Sequence, residues 1–273
     1  MEFTRITEKN LEYFRPYIFG SMPDETQEAF GLIDEDGAPA AAAVLSGEDG
    51  EVSLDWIFVH PSLRRKGVAS LLLRYLIMLL RDEADTISCS FLPEAEDFEA
   101  WLHANGFLVT DGEPLYRFPI PELLKNPEFV KISGIKIQPD IRNLSTLLSA
   151  DRHALESFLE AQTVTPEILL RVDPVLSFVG FDKDRRVSAC LLLETVSPGV
   201  HQVSLLVNTG SSLMMGALLR SVVQTCTEKN MTDGIVQFIA ADERIRHFAD
   251  GLLEGSPEGE KTQLCYAVIP LEM

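Results

Sequence analysis

Residues 59–80 read VHPSLRRKGVASLLLRYLIMLL, and the order of residue types along them points to one construction. An apolar strand ends at Val59, a turn opens with Pro61, and Arg64, Arg65 and Lys66 precede Gly67. A long apolar helix then begins at Val68 with no capping side chain before it. Free amides at a helix N-terminus, the positive end of its dipole, nearby cations and a glycine that permits close approach together make an anion site. The reading is a phosphorylated ligand, a diphosphate in first place. The alternative is a surface turn in which Gly67 serves only the backbone.

Working outward, the 273 residues suit two domains, and 46% hydrophobic content lets each half build a core. Cys89, Cys190, Cys226 and Cys265 are scattered without C-x-x-C spacing, so they read as buried free thiols of a reducing cytoplasm. His60, His103, His153, His201 and His247 show no metal-ligand spacing, so no metal is expected. The N-terminal residues lack an apolar signal core. The greasy run 68–80 is interrupted by Arg74 and is too short for a bilayer, so no membrane partner is expected. A net charge of −19 argues against nucleic acid as a partner and leaves Arg64-Arg65-Lys66 as a basic exception in an acidic field.

The chain repeats one plan. Phe30 to Asp36 is echoed by Phe178 to Asp184, each a strand entering an acidic turn, and Pro39–Leu45 and Val187–Leu193 follow as second strands. Glu51–Leu54 aligns with Gln202–Leu205, Leu72-Leu73-Arg74 with Leu218-Leu219-Arg220, and Tyr116 and Tyr266 each open a terminal strand. Two α/β domains follow, residues 1–122 and 135–273, with the boundary in the Pro-containing stretch 119–134. In the first copy the pattern predicts strands near 3–6, 30–33, 40–45, 51–59, 86–91 and 116–120. Helices are predicted at 10–18, 68–80 and 95–104. A mixed, mostly antiparallel sheet flanked by helices satisfies this order.

The run 59–80 resembles, position by position, the acetyl-CoA loop V-x-P-x-x-R-x-x-G-x-[GA]-x-x-L of the GNAT N-acetyltransferases, through Val59, Pro61, Arg64, Gly67, Ala69 and Leu72. The resemblance covers residues 1 to about 120, and Asn105-Gly106-Phe107 is similar to the Gly-Phe after the family's last helix. It implies acetyl-CoA as co-substrate, its pyrophosphate held by Arg65, Lys66, Gly67, Val68, Ala69 and Ser70, with Arg64 ordering the loop. The pantetheine arm would pair with Ile57, Phe58 and Val59 where the neighbouring strand 88–91 splays away. The Phe58 amide would polarise the thioester carbonyl.

Transfer to an amine needs a base, and Asp55 stands where many GNAT enzymes carry a glutamate. By alternation it shares a face with Ile57 and Val59. The family's general-acid tyrosine position is Leu102, a departure that leaves the acid unassigned between Ser90, Tyr75 and water. His103 points about 100° away around the helix. Trp56 and Trp101 read as packing residues. In the second copy the loop Asn208–Ser212 is shorter and has lost its cations, so that half is expected to bind no coenzyme A. The expected function is acetyl transfer to a primary amine of a small molecule or peptide. The alternatives are a non-catalytic acyl-CoA sensor, which Leu102 favours, or an interaction scaffold. Intramolecular pairing of the two domains is expected, with a homodimer left open and an acceptor cleft bordered by both halves.

Overall fold

The computed structural model describes residues 1–18, 27–48, 50–127, 140–240 and 243–271. The contacts within it divide the chain into two compact units. One comprises Met1–Gly112 together with Gln263–Met273, the other Glu113–Thr262.

The sheet of the first unit runs β1 (Glu2–Ile6), β2 (Gln27–Ile33), β3 (Pro39–Glu48), β4 (Glu51–Val59), β5 (Thr86–Phe91) and β12 (Glu260–Pro270). Neighbours are antiparallel except β4 and β5, which are parallel. The strands β4 and β5 and the helix α2 (Val68–Leu80) occupy the spans predicted for them. The first helix is shorter than expected: α1 covers Leu11–Phe14 and passes into a 3-10 turn, Arg15–Tyr17. Pro16 is the cause, since it lacks the N–H a continuing helix needs. Ala40 to Ala43 are fully buried in β3 despite alanine's helical propensity, because tertiary packing overrides it. Against that smooth surface α2 lays Val68, Leu72, Leu73, Leu76 and Leu80, each worth about 1.5–3 kcal/mol on burial. The helix α3 (Glu96–Ala104) ends at Gly106, whose φ of 88° is the left-handed conformation that stops a helix.

The second unit repeats the order. Its sheet runs β7 (Asp140–Asn143), β8 (Phe178–Phe181), β9 (Val187–Ser197), β10 (Val200–Asn208), β11 (Ile235–Ile239) and β6 (Leu108–Pro119), with β10 and β11 the parallel pair. The helices α4 (Ile120–Lys125), α5 (Ser149–Ala161), α6 (Ile168–Arg171), α7 (Ser212–Glu228) and α8 (Glu243–Glu254) belong to it. Its main core gathers Phe118, Leu191, Leu218, Val222 and Phe238.

The units do not divide at the boundary drawn from the sequence, part of which lies outside the described residues. The strand opened by Tyr116 does not finish the first sheet: residues 115–119 pair with β11 in the second. The strand carrying Tyr266 finishes the first sheet, with Ala267 opposite Cys89 and Val268 opposite Ser88. Each sheet is thus completed by the strand that local order assigned to the other. Among the described residues, no helix is long and apolar enough to cross a membrane.

Candidate functional site

The geometry of the site starts in β4. Its parallel pairing with β5 covers only Glu51–Thr86, Val52–Ile87 and Ser53–Ser88, although both strands continue. Beyond Ser53 the two part. On the other side β4 stays paired with β3 up to Val59 opposite Ala41, with an irregularity where Val44 faces Trp56 and Leu45 faces Leu54. Asp55 is the extra residue, so a β-bulge sits at Asp55.

The bulge resets which way every later residue points. His60 donates its N–H to the carbonyl of Ala40 at 2.9 Å, and these two continue the register in which Phe58 faces Ala42. Backbone groups alternate sides along a strand, so Phe58 also turns its N–H toward β3. The groups directed into the gap belong to Ile57 and Val59. Arg64 agrees with this, because its Nε donates to the outward carbonyl of Val59 at 3.2 Å. The expected oxyanion donor, the Phe58 amide, is therefore corrected: the N–H facing the gap is that of Ile57. The bulge also breaks the alternation used to place Asp55. Val52 and Leu54 before it and Ile57 and Val59 after it all pack on one core, so counting by twos from Asp55 does not carry through.

Below the gap, Gly67 takes φ 79° and caps α2 with no side-chain hydrogen bond. The first helical bond runs from the Leu71 N–H to the Gly67 carbonyl. The N–H groups of Val68, Ala69 and Ser70 precede it and have no intrahelical acceptor. A Cβ on Gly67 would meet nothing within 4 Å, so the space before these amides is open. Arg65 also sits at positive φ, 61°, and forms an exposed ion pair with Asp97 at 3.2 Å.

A cleft of about 400 Å³ joins the two features, within the range of small-molecule sites. Ile57, Phe58, Val59, Arg64, Arg65, Gly67, Val68, Ala69 and Ser70 line it; Lys66 does not. An open strand edge, uncapped amides and flanking arginines suit a long ligand with an anionic group at one end. The far wall, from Asp97, Phe98 and Trp101 on α3, was not expected. Its signal was helical spacing: Phe98 and Trp101 lie three apart and Asp97 and Trp101 four apart, on one face. The indole of Trp101 donates to Ser70 Oγ at 3.0 Å.

The candidate acid–base groups are less well gathered. Asp55 is exposed on the bulge, accepts from Gln27 Nε2 at 3.2 Å and lies outside the cleft lining. Leu102 is fully buried in the core. Ser90 faces Tyr266 across the sheet, and Tyr75 stacks on Phe3 at 5.1 Å; neither lines the cleft. Tyr17 stands edge-on to Phe58 at 5.3 Å, but its hydroxyl donates to the Pro39 carbonyl. Burial, with the Asp34 charge second, holds its pKa above the usual value.

The second unit shows the same bulge, at Ser204, between Val203 opposite Leu193 and Leu205 opposite Leu192. It aligns Ser204 with Asp55, two residues away from the match read along the sequence. Eight residues, His60 to Gly67, connect β4 to α2. Three, Thr209 to Ser211, connect β10 to α7. Two amides of that short loop are already engaged, Thr209 N–H on the Ser188 carbonyl and Gly210 N–H on Asn208 Oδ1. The second loop is thus shorter, holds two of its amides in internal bonds and lacks the cations of the first.

Comparison with known proteins bears on the first unit and on the fold. The sequence model of the acetyltransferase (GNAT) family matches residues 3–105. No curated protein matches the chain. Among solved structures, a tandem GNAT protein from the clavulanic acid biosynthesis pathway superposes with a TM-score of 0.63 at 12% identity, over 90% of this chain and 83% of that one. A GCN5-related N-acetyltransferase from Sphaerobacter thermophilus gives 0.54 at 14% identity, over 96% and 85%. The glucosamine N-acetyltransferase region of a fungal multi-domain β-N-acetylglucosaminidase gives 0.61 at 14%, covering 98% of this chain and 38% of that one. At these identities the likeness is one of fold, two GNAT-like domains in tandem.

Proposed function

We propose, from the match of residues 3–105 to the sequence model of the acetyltransferase (GNAT) family, that the chain transfers an acetyl group from acetyl-CoA to a primary amine of a small molecule or peptide. The observation that carries this reading is the open edge of β4 standing over the uncapped start of α2 in one cleft. Val68, Ala69 and Ser70 would hold the coenzyme diphosphate by their amides, with Arg65 supplying charge. The Ile57 N–H and carbonyl and the Val59 N–H are the edge groups left to pair with the pantetheine arm, since Arg64 caps the Val59 carbonyl. The thioester supplies the activated acyl group. The chain's own contribution at the carbonyl is the Ile57 N–H, placed to bear the charge that develops on oxygen.

An amine with a pKa near roughly 10 must lose a proton to react. Asp55, two positions along the strand from Ile57 and open to solvent, is the group that would take it, directly or through water. The departing sulfur would draw its proton from water, since the described cleft presents neither a phenol nor an imidazole. The test is release of free thiol from acetyl-CoA, measured with the full chain against a panel of primary amines. Acceptor-dependent release supports transfer.

A second reading is favoured by one residue. Leu102 fills the family's acid position with a fully buried apolar side chain, as suits a domain that binds acyl-CoA without turning it over. Binding without thiol release against every amine supports that sensor role.

A further inference from the structure

Resting on the reading of this cleft as a coenzyme site, we propose that Trp101 is a positioning residue that aims the Ser70 hydroxyl as a hydrogen-bond donor at the ligand's diphosphate. The indole N–H is a donor only, so at 3.0 Å from Ser70 Oγ it obliges that oxygen to accept. A hydroxyl has one proton and two lone pairs, and accepting from Trp101 leaves the proton uncommitted.

Helical hydroxyls usually place that proton on the carbonyl one turn back. Ser221 and Thr227 in α7 do so, donating to Ala217 at 3.0 Å and Val223 at 2.9 Å. Ser70 makes no such bond, and among the described residues its proton has no acceptor. The side chain stands in the first turn of α2, beside the free amides of Val68, Ala69 and its own backbone, and lines the cleft. The hydroxyl proton thus joins a cluster of amides that lack partners among the described residues.

Trp101 is itself held firmly enough to impose this. Its ring lies nearly parallel to Phe98, centroids 5.5 Å apart at 21°, and tilts against Phe107 at 6.4 Å. Its carbonyl accepts from Asn105 Nδ2 at 2.7 Å. Phenylalanine would fill the same slot between Phe98 and Phe107; only tryptophan brings a donor to Ser70.

The test is calorimetric titration of coenzyme A, and of ADP as a probe carrying the diphosphate alone, into the full chain and four variants. Trp101→Phe and Ser70→Ala each weaken both ligands about tenfold, the scale of one hydrogen bond to a charged group. Ser70→Thr, which keeps the hydroxyl, binds near the wild-type level. The double variant Ser70→Ala with Trp101→Phe binds no more weakly than Ser70→Ala alone. Unchanged affinity in Trp101→Phe, a loss that adds to that of Ser70→Ala, or a loss for coenzyme A but not ADP overturns the inference while wild-type binding stands. Absence of coenzyme A binding to the wild type overturns this inference together with the coenzyme reading. Should Trp101→Phe fail to fold, Ser70→Ala and Ser70→Thr still decide whether the hydroxyl acts.

Discussion

The N–H of His60 meets the carbonyl of Ala40 at 2.9 Å, and through that bond the last turn of the β3–β4 ladder determines which amides face the gap beyond. Ile57 and Val59 point outward, Phe58 inward. Proline substitution separates the two. Ile57→Pro removes an N–H that makes no ladder bond, so it should fold with a modest loss of thermal stability. Its turnover should fall about 100- to 1000-fold, the usual cost of one oxyanion donor. Phe58→Pro removes a ladder bond to β3 and should lower the melting temperature further. The reverse order, with Phe58→Pro stable and inactive, returns the donor to Phe58.

The carboxylate on the bulge makes a separate prediction. Asp55→Asn should reduce turnover roughly 100-fold while leaving coenzyme A affinity unchanged, because Asp55 lies outside the cleft lining. Stopped turnover with an unfolded far-UV spectrum would mark the carboxylate as structural. Full turnover would remove it from the mechanism.

The exchange of terminal strands predicts how the chain tolerates cutting. A chain ending at Thr262 lacks Gln263–Leu271, and with it Ala267 and Leu271, both buried in the first core. It should lose coenzyme A binding although none of the missing residues lines the cleft. A fragment of residues 1–122 loses the same strand and should fail to give a cooperative melt. Cooperative unfolding and full binding by that fragment would show that β12 is dispensable.

The cysteines predict a reactivity pattern. Burial pushes the thiols of Cys89 and Cys226 up to about 11 and that of Cys190 to about 12. Cys265 is only half-buried, though burial and the charge of Glu99 raise it too. A disulfide reagent at pH 8 should modify Cys265 in the native chain and all four thiols after denaturation, since the thiolate is the reacting form. Rapid native labelling of Cys190 would contradict the packing.

What was legible in the sequence was what neighbouring residues decide. The spans of β4, α2 and β5 and the loop around Gly67 follow from local periodicity, turn residues and charge. The bulge at Asp55 was not legible, because it is a mismatch of register between two strands and exists only once β3 is laid beside β4. Asp55 was placed by counting along one strand, which fails for the same reason, and Phe58 took its role from the resemblance, which does not record the register that decides which amide faces the gap. The partners of β6 and β12 escaped too, since nothing near Tyr116 or Tyr266 records which sheet the strand joins. Trp101 was visible as an aromatic on a helix face, but its bond to Ser70 joins two elements far apart in the chain.

The central claim is that one cleft, built on β4 and α2, holds one acyl-CoA per chain. Calorimetric titration of acetyl-CoA into the full-length protein tests it most directly, with Gly67→Glu as the paired variant. Glutamate there sets a carboxylate before the free amides and strains a backbone at φ 79°. The account predicts a stoichiometry of one for the wild type and no binding for Gly67→Glu; no heat in the wild type, a stoichiometry of two, or unchanged binding in Gly67→Glu would contradict it.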